Sequence, residues 1–323
     1  MEIPNGCIRK YDPAPKFFVK EWIKQKGDTV MTIGIVGIGN MGRSIAEHLS
    51  EVGETLALWN RTAAKAQGIP NSTVMQTPRN VVEASDIVLS ILADDSALEA
   101  AYRGPGGILE ADLTSKTVIE FCTTSPETVI LLEQAVEARG GQFLECPVSG
   151  NVVPARSGQL MGLAAGKQAA FDHASPLLSK MTRRLEYLGP TGAGAAMKLA
   201  VNLPLMVYWS ALGEAIGLAL SKGIEPALAL DILADSSGAI GAAKKRVPPI
   251  LNMLINGDPG QVGLSMANGI KDLKLMQDLA GKSGSPSGLV SAALAQAEAA
   301  AADGWSDYDC ALVGVHAQGG SKA

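Results

Sequence analysis

Residues 32–62 read TIGIVGIGNMGRSIAEHLSEVGETLALWNRT, and this stretch decides the fold. TIGIVG (32–37) is short, β-branched and ends in glycine, the pattern of a buried strand. In GIGNMGRSIAEHLSEVG (37–53) the apolar residues Met41, Ile45, Leu49 and Val52 recur at three and four, which predicts a helix stopped by Gly53. TLALW (55–59) is a second strand. Between strand and helix stands Gly37-Ile38-Gly39-Asn40-Met41-Gly42, a G-x-G-x-x-G in its required context. Gly37 allows a tight turn, Gly39 lets a pyrophosphate approach the backbone, and Gly42 lets the helix pack on the strand. Asn40 and Met41 fall at the helix start, where free N–H groups bind phosphate. At the end of the second strand an NAD-binding chain places a carboxylate for the ribose; here stand Asn60, Arg61 and Thr62. A guanidinium forks onto a 2′-phosphate and a hydroxyl adds to it, so the reading is NADPH in preference to NADH.

Working outward, DIVLSIL (86–92), TVIEF (117–121) and QFLECPVSG (142–150) read as further strands. A helix begins within 60–68, with Asn60 or Thr62 as its cap, and another runs from Pro126 to Arg139 with Gly140-Gly141 as its stop. The alternation predicts an α/β fold with a doubly wound parallel sheet, a Rossmann domain. After residue 192 strand signals vanish and helical patterns cover 193–222, 226–235, 241–256, 265–282 and 286–303. The expected organisation is an extension over 1–30, a nucleotide-binding domain over 31–192 and an all-helical domain over 193–323. The helix from 193 begins at the boundary itself, so it is expected to be shared between the two.

Composition narrows the function classes. The 323 residues are 47% hydrophobic and 18% charged, which excludes a disordered chain. Lys and Arg number 27 against 32 Asp and Glu, and the net charge of −5 argues against nucleic acid or an anionic membrane as partner. Cys7, Cys122, Cys146 and Cys310 form no C-x-x-C, and His48, His173 and His316 form no i, i+4 pair, so no metal site is expected and a reducing cytoplasm is. Residues 1–30 lack the apolar core of a secretory signal. The apolar run 199–220 has the length of a membrane span, but Asn202, Pro204 and Glu214 lie within it, and a buried interdomain helix is the better reading. Met181, Met206, Met253 and Met276 read as core filler, Cys146 as buried and inert, His173 as a local hydrogen bonder, and Lys244-Lys245-Arg246 as a solvated run.

Lys198 and Asn202 in GPTGAGAAMKLAVN share one helix face at i and i+4. Taken alone, a lysine among Met197, Leu199, Ala200 and Val201 reads as a snorkelling side chain; beside a carbonyl it is a proton donor. A free ammonium is a ready acid at neutral pH, which favours reduction over oxidation.

Four segments in order, GIVGIGNMG (34–42), CPVSGNVVPARSGQL (146–160), GPTGAGAAMKLAVN (189–202) and IKDLKL (270–275), together with GWSDYDCALV (304–313), resemble the β-hydroxyacid dehydrogenases. This group includes 3-hydroxyisobutyrate dehydrogenase, tartronate semialdehyde reductase and glyoxylate/succinic semialdehyde reductases. The resemblance spans about residues 31–316. It implies hydride transfer between a nicotinamide and a small carbonyl or hydroxy acid, in a cleft between a Rossmann and a helical domain. It implies that Lys198 is the acid/base and that Asn202 orders the substrate. Ser149 and Gly150 would hold a carboxylate, Lys271 would reach the cofactor, and Leu92 and Thr123 would line the nicotinamide. The chain departs from the family at Cys122, where a hydroxyl is usual, at Asn151, where glycine is common, and at Leu203. Cys122 and Asn151 are thereby expected at the substrate. Pro204 is expected to free the Ala200 carbonyl and kink the helix. The rivals are imine reduction on the same fold and a non-catalytic dinucleotide-binding interaction module; both kinds of relative commonly lack the lysine. A large apolar helical domain makes a homodimer or higher oligomer the expected assembly.

Overall fold

The run TIGIV forms the strand β1 (Thr32–Val36), and every residue of it after Thr32 is buried. The computed structural model describes residues 32–319, so the extension expected over 1–30 lies outside the described residues. The order continues α1 (Asn40–Glu51), β2 (Thr55–Trp59), β3 (Ser72–Val74), α2 (Pro78–Glu83), β4 (Ile87–Ser90), α3 (Asp95–Arg103), β5 (Thr117–Glu120), α4 (Pro126–Glu137) and β6 (Gln142–Glu145). Then come β7 (Val148–Ser149), α5 (Val152–Arg156), β8 (Leu160–Gly166), α6 (Gln168–Met181) and β9 (Thr182–Tyr187). The helical half comprises α7 (Ala193–Leu220), α8 (Pro226–Asp235), α9 (Ala243–Asn256), α10 (Met266–Ser283), α11 (Gly288–Ala300) and α12 (Val313–His316).

The sheet order is β3-β2-β1-β4-β5-β6-β8-β7, with β9 beside β8. β1 to β6 run parallel, in the 3-2-1-4-5-6 order of a doubly wound Rossmann sheet. The strand order reverses between β1 and β4, which remain parallel, and the crevice at their carboxyl ends is where such sheets bind nucleotides. Beyond the expected parallel sheet, β8 pairs antiparallel with β6 and β7. The sequence carries no clear strand signal for β3, β8 or β9. LMGLAAG of β8 is Gly- and Ala-rich, β9 (TRRLEY) is polar, and β3 has three residues, so none carries the usual strand signature.

One apolar layer covers each face of the sheet. Ile119 and Leu144 face the layer with Ile45 and Leu49 of α1; Val118 and Phe143, one residue earlier on each strand, face the layer with Tyr102 and Leu132. Glu120 and Glu145, two residues on from Val118 and Phe143, share that second face and are register partners.

α7 joins the two halves as expected. Ala195 in its first turn packs in the second sheet layer, whereas Leu199, Met206, Trp209, Leu212 and Ile216 lie in the helical core. Burying one such side chain contributes about 1.5–3 kcal/mol, so this row holds the helix firmly. α7 is long and apolar enough to cross a membrane, with 28% of its apolar window buried, and it packs against α10, α11 and α12. It runs uninterrupted through Pro204. Met181, Met206, Met253 and Met276 are core residues, as expected. The basic run 244–246 is only partly solvated: Lys244 pairs with the exposed Asp235, but Arg246 reaches the buried Asp309. His173 is exposed and bonds Thr117 Oγ1 through Nδ1, as a local hydrogen bonder.

Candidate active site

The first part of the site is built from backbone. Gly37 has φ +105°, and a Cβ on it would stand 2.2 Å from the Ile91 carbonyl oxygen. A Cβ on Gly42 would stand 1.9 Å from the Gly37 carbonyl oxygen, so the helix can approach the strand only with glycine there. A Cβ on Gly39 would meet nothing within 4 Å. Gly39 is the N-cap of α1 and no side chain caps that helix. Gly39 and Asn40 are exposed and Met41 is half-buried. The first-turn N–H groups therefore face open space, as a pyrophosphate requires.

Asn60 caps no helix, contrary to the sequence expectation for 60–68. Only a 3₁₀ turn over Ala63–Ala66 forms, with no side-chain cap, and Gly68 and Pro70 follow closely. The Asn60 amide instead ties β2 to the glycine turn: Ile38 N–H donates to its Oδ1 at 2.9 Å, and its Nδ2 donates to the Thr62 carbonyl at 3.0 Å. Arg61 and Thr62 are exposed beside it, and Arg61 has no ion-pair partner among the described residues.

The second part is built from side chains. Lys198 and Asn202 are buried on α7, at 9% and 8% exposure, so the lysine does not snorkel. Lys198 Nζ donates to Asn202 Oδ1 at 3.2 Å, and Asn202 Nδ2 donates to Asp272 Oδ2 at 3.0 Å. The other Asp272 oxygen lies 3.3 Å from Lys271 Nζ. Lys271 Nζ donates in turn to the carbonyls of Thr123, at 2.6 Å, and Ala93, at 3.3 Å. One polar chain thus runs from the buried α7 lysine to the loops after β4 and β5, where Leu92 and Thr123 are half-buried. Burial holds the Lys198 ammonium down at about 8; the Asp272 carboxylate opposes that shift and the Lys271 charge adds to it. A lysine held there gives up its proton more readily than a free one. A cleft of about 520 Å³ opens beside Lys271, between α10 and the starts of α3 and α4.

Asp272, beside Lys271 in IKDL, is a site residue that the sequence motifs do not single out. Its signal is a charged residue buried on the apolar face of α10, with Gly269, Leu273 and Met276.

Ser149 ends β7, which packs against α7, and Gly150 follows with φ +134°. Asn151 is exposed and caps α5, its Oδ1 accepting from Val153 N–H at 3.2 Å. Cys122, expected at the substrate, is not among the residues that line the cleft beside Lys271. It is 4% exposed in the second apolar layer, its Sγ 3.7 Å from the Thr123 carbonyl, because Glu120 Oε1 takes the Cys122 N–H at 2.8 Å and turns the loop inward. Burial pushes the Cys122 thiol well up, and it pushes Cys146 up to about 12, which leaves both as unreactive thiols. No group of His, Cys, Asp and Glu among the described residues could hold a metal ion.

Comparison with known proteins matches residues 32–189 to the family described as the NAD binding domain of 6-phosphogluconate dehydrogenase. Residues 192–315 match the NAD-binding family of NADP-dependent 3-hydroxyisobutyrate dehydrogenase. The chain is 34% identical over 205 residues to glyoxylate/succinic semialdehyde reductase 1 of Arabidopsis thaliana, covering 63% of this chain and 71% of that one. It is 36% identical over 203 residues to the cytokine-like nuclear factor N-PAC of Xenopus tropicalis, covering 62% of this chain but only 38% of that protein. Among solved structures, the Mycobacterium tuberculosis 3-hydroxyisobutyrate dehydrogenase with L-serine superposes with a TM-score of 0.75 at 25% identity, covering 89% and 99% of the two chains.

Proposed function

This chain belongs to the β-hydroxyacid dehydrogenase family of NAD(P)-dependent oxidoreductases acting on CH–OH groups, and on that premise we propose that it is an NADPH-dependent reductase of small semialdehydes or keto acids. The observation that carries the reading is the buried Lys198–Asn202–Asp272 chain, joined through Lys271 to the loops that carry Leu92 and Thr123. The residues of the first part of the site fit a dinucleotide: an uncapped helix N-terminus, open space over Gly39, and a free guanidinium at Arg61. When bound, that cofactor supplies a hydride to the carbonyl carbon.

Lys198 gives its proton to the oxygen that becomes the hydroxyl; in the oxidative direction it takes that proton back. Asn202 receives the Lys198 N–H and points the ammonium. Asp272 fixes the Asn202 amide and keeps the ammonium charged in a buried place. Ser149 and the Gly150 N–H receive the substrate carboxylate. Lys271 holds the Thr123 and Ala93 carbonyls and so shapes the floor on which Leu92 and Thr123 line the nicotinamide. Arg61, with Thr62, selects the 2′-phosphate, in keeping with the NADP-dependent description of the matched helical family. The protein works in the cytoplasm as at least a homodimer, and the exposed Leu218, Leu228 and Ile232 of the helical half are the side chains a second copy would cover.

A screen of NADPH and NADH consumption against semialdehydes, keto acids and cyclic imines tests the reading. Turnover of an acid-bearing carbonyl with NADPH is expected. The likeness to a relative described as a nuclear factor rather than as an enzyme favours a second reading, a dinucleotide-binding interaction module without chemistry. NADPH binding with no turnover on any member of the panel would select that second reading.

A further inference from the structure

Glu145 is the last residue of β6, and its carboxylate is wholly buried. Its oxygens accept three backbone hydrogen bonds: Oε1 from Gly192 N–H at 2.5 Å and Gly194 N–H at 3.0 Å, and Oε2 from Ala195 N–H at 2.9 Å. These are the N-cap and first-turn donors of α7, which has no local side-chain cap because Gly192 takes that place with φ +101°. The cap is therefore supplied by another strand. The fit is close: a Cβ on Gly194 would stand 2.6 Å from the Leu163 carbonyl oxygen and 3.0 Å from Glu145 Cδ.

Lys198 lies one turn beyond Ala195 on the same rigid helix. We propose that Glu145 is the positioning residue for Lys198, clamping the first turn of α7 to the end of β6 and so setting where the ammonium stands relative to the loops after β4 and β5. The inference rests on the reading of Lys198 as the proton donor. Burial lifts the Glu145 carboxyl to about 7, the three N–H groups oppose this, and Glu133 of α4 adds to it. At the other end Lys198 faces Asp272 and Lys271 of α10. A loosened first turn admits water to Lys198, and its pKa then rises toward that of a free lysine.

Glu145→Gln keeps the volume but turns an amide donor toward backbone donors. A misplacement of the order of 1 Å is expected to lower kcat by about 10- to 100-fold. NADPH affinity, read by fluorescence titration, is expected to stay within about twofold, because the glycine turn is built on other elements. The falling limb of the reductive pH profile is expected to move to higher pH, and Glu145→Asp, which keeps the charge, to recover part of both effects. Should Glu145→Gln not fold, kcat and the pH limb of Glu145→Asp decide alone. A wild-type kcat and pH limb would overturn the inference, and so would a parallel loss of turnover and NADPH affinity. Lys198→Ala is measured alongside: full turnover there removes the proton-donor reading, whereas an inactive Lys198→Ala beside an unaffected Glu145→Gln removes only the positioning role.

Discussion

The two parts of the site are made of different materials. At the glycine turn the working groups are backbone N–H donors, held by the absence of side chains at Gly37, Gly39 and Gly42 and open to solvent. At α7 the proposed working groups are Lys198, Asn202 and Asp272, all under one tenth exposed and bonded to one another. The first part is pre-organised by local chain geometry and binds a ligand common to many enzymes. The second depends on two helices 70 residues apart in sequence meeting correctly, and burial tunes its chemistry. On the proposed reading, binding and proton transfer rest on separable structures, and substitutions should separate them.

The largest separation is expected from Lys198→Ala: turnover falls about 10²- to 10⁴-fold while NADPH affinity is retained. Equal losses in both, by stopped-flow and fluorescence titration, would break the comparison. Next is Gly42→Ala, which sets a methyl against the Gly37 carbonyl. Overpacking of this kind costs about 1–3 kcal/mol of stability, and NADPH binding should weaken with it, read by a drop in Tm and in affinity. Arg61→Ala is expected to lower the NADPH-over-NADH ratio of kcat/KM about tenfold, and added salt should shrink the wild-type ratio. Because the Asn60 oxygen accepts from Ile38 N–H, Asn60→Asp with Arg61→Ala keeps that bond and should reverse the preference. An unchanged ratio would remove Arg61 from cofactor selection. The smallest effect belongs to Ser149→Ala: loss of one hydrogen bond, about 0.5–1.5 kcal/mol, should raise KM for acid substrates a few-fold and leave neutral aldehydes alone. Equal effects on both substrate kinds would move the carboxylate elsewhere.

The same contrast explains what was legible in the sequence. G-x-G-x-x-G between a strand and a helix is a local pattern with a local cause, and β1, the turn and α1 formed where expected. The Lys198–Asn202 spacing was legible because i, i+4 is a property of one helix. Asp272 and Glu145 were not, because each acts across the fold, on Asn202 and on the N-terminus of α7. Asn60 was misread for the same reason: its amide serves a turn 22 residues away rather than the helix beside it. The burial of Cys122 was not legible either, because it follows from Glu120, two residues earlier, accepting the Cys122 N–H.

The rate of hydride transfer as a function of pH, in wild type and in Asp272→Asn, tests the central claim most directly. If Lys198 is the proton donor, the reductive rate is high while the ammonium is protonated and falls as pH rises through about 8. Removing the Asp272 charge takes away the partner that holds this pKa up, so the fall should move to lower pH. A rate flat from about pH 6 to about pH 10, or a fall that Asp272→Asn leaves in place, would contradict the account.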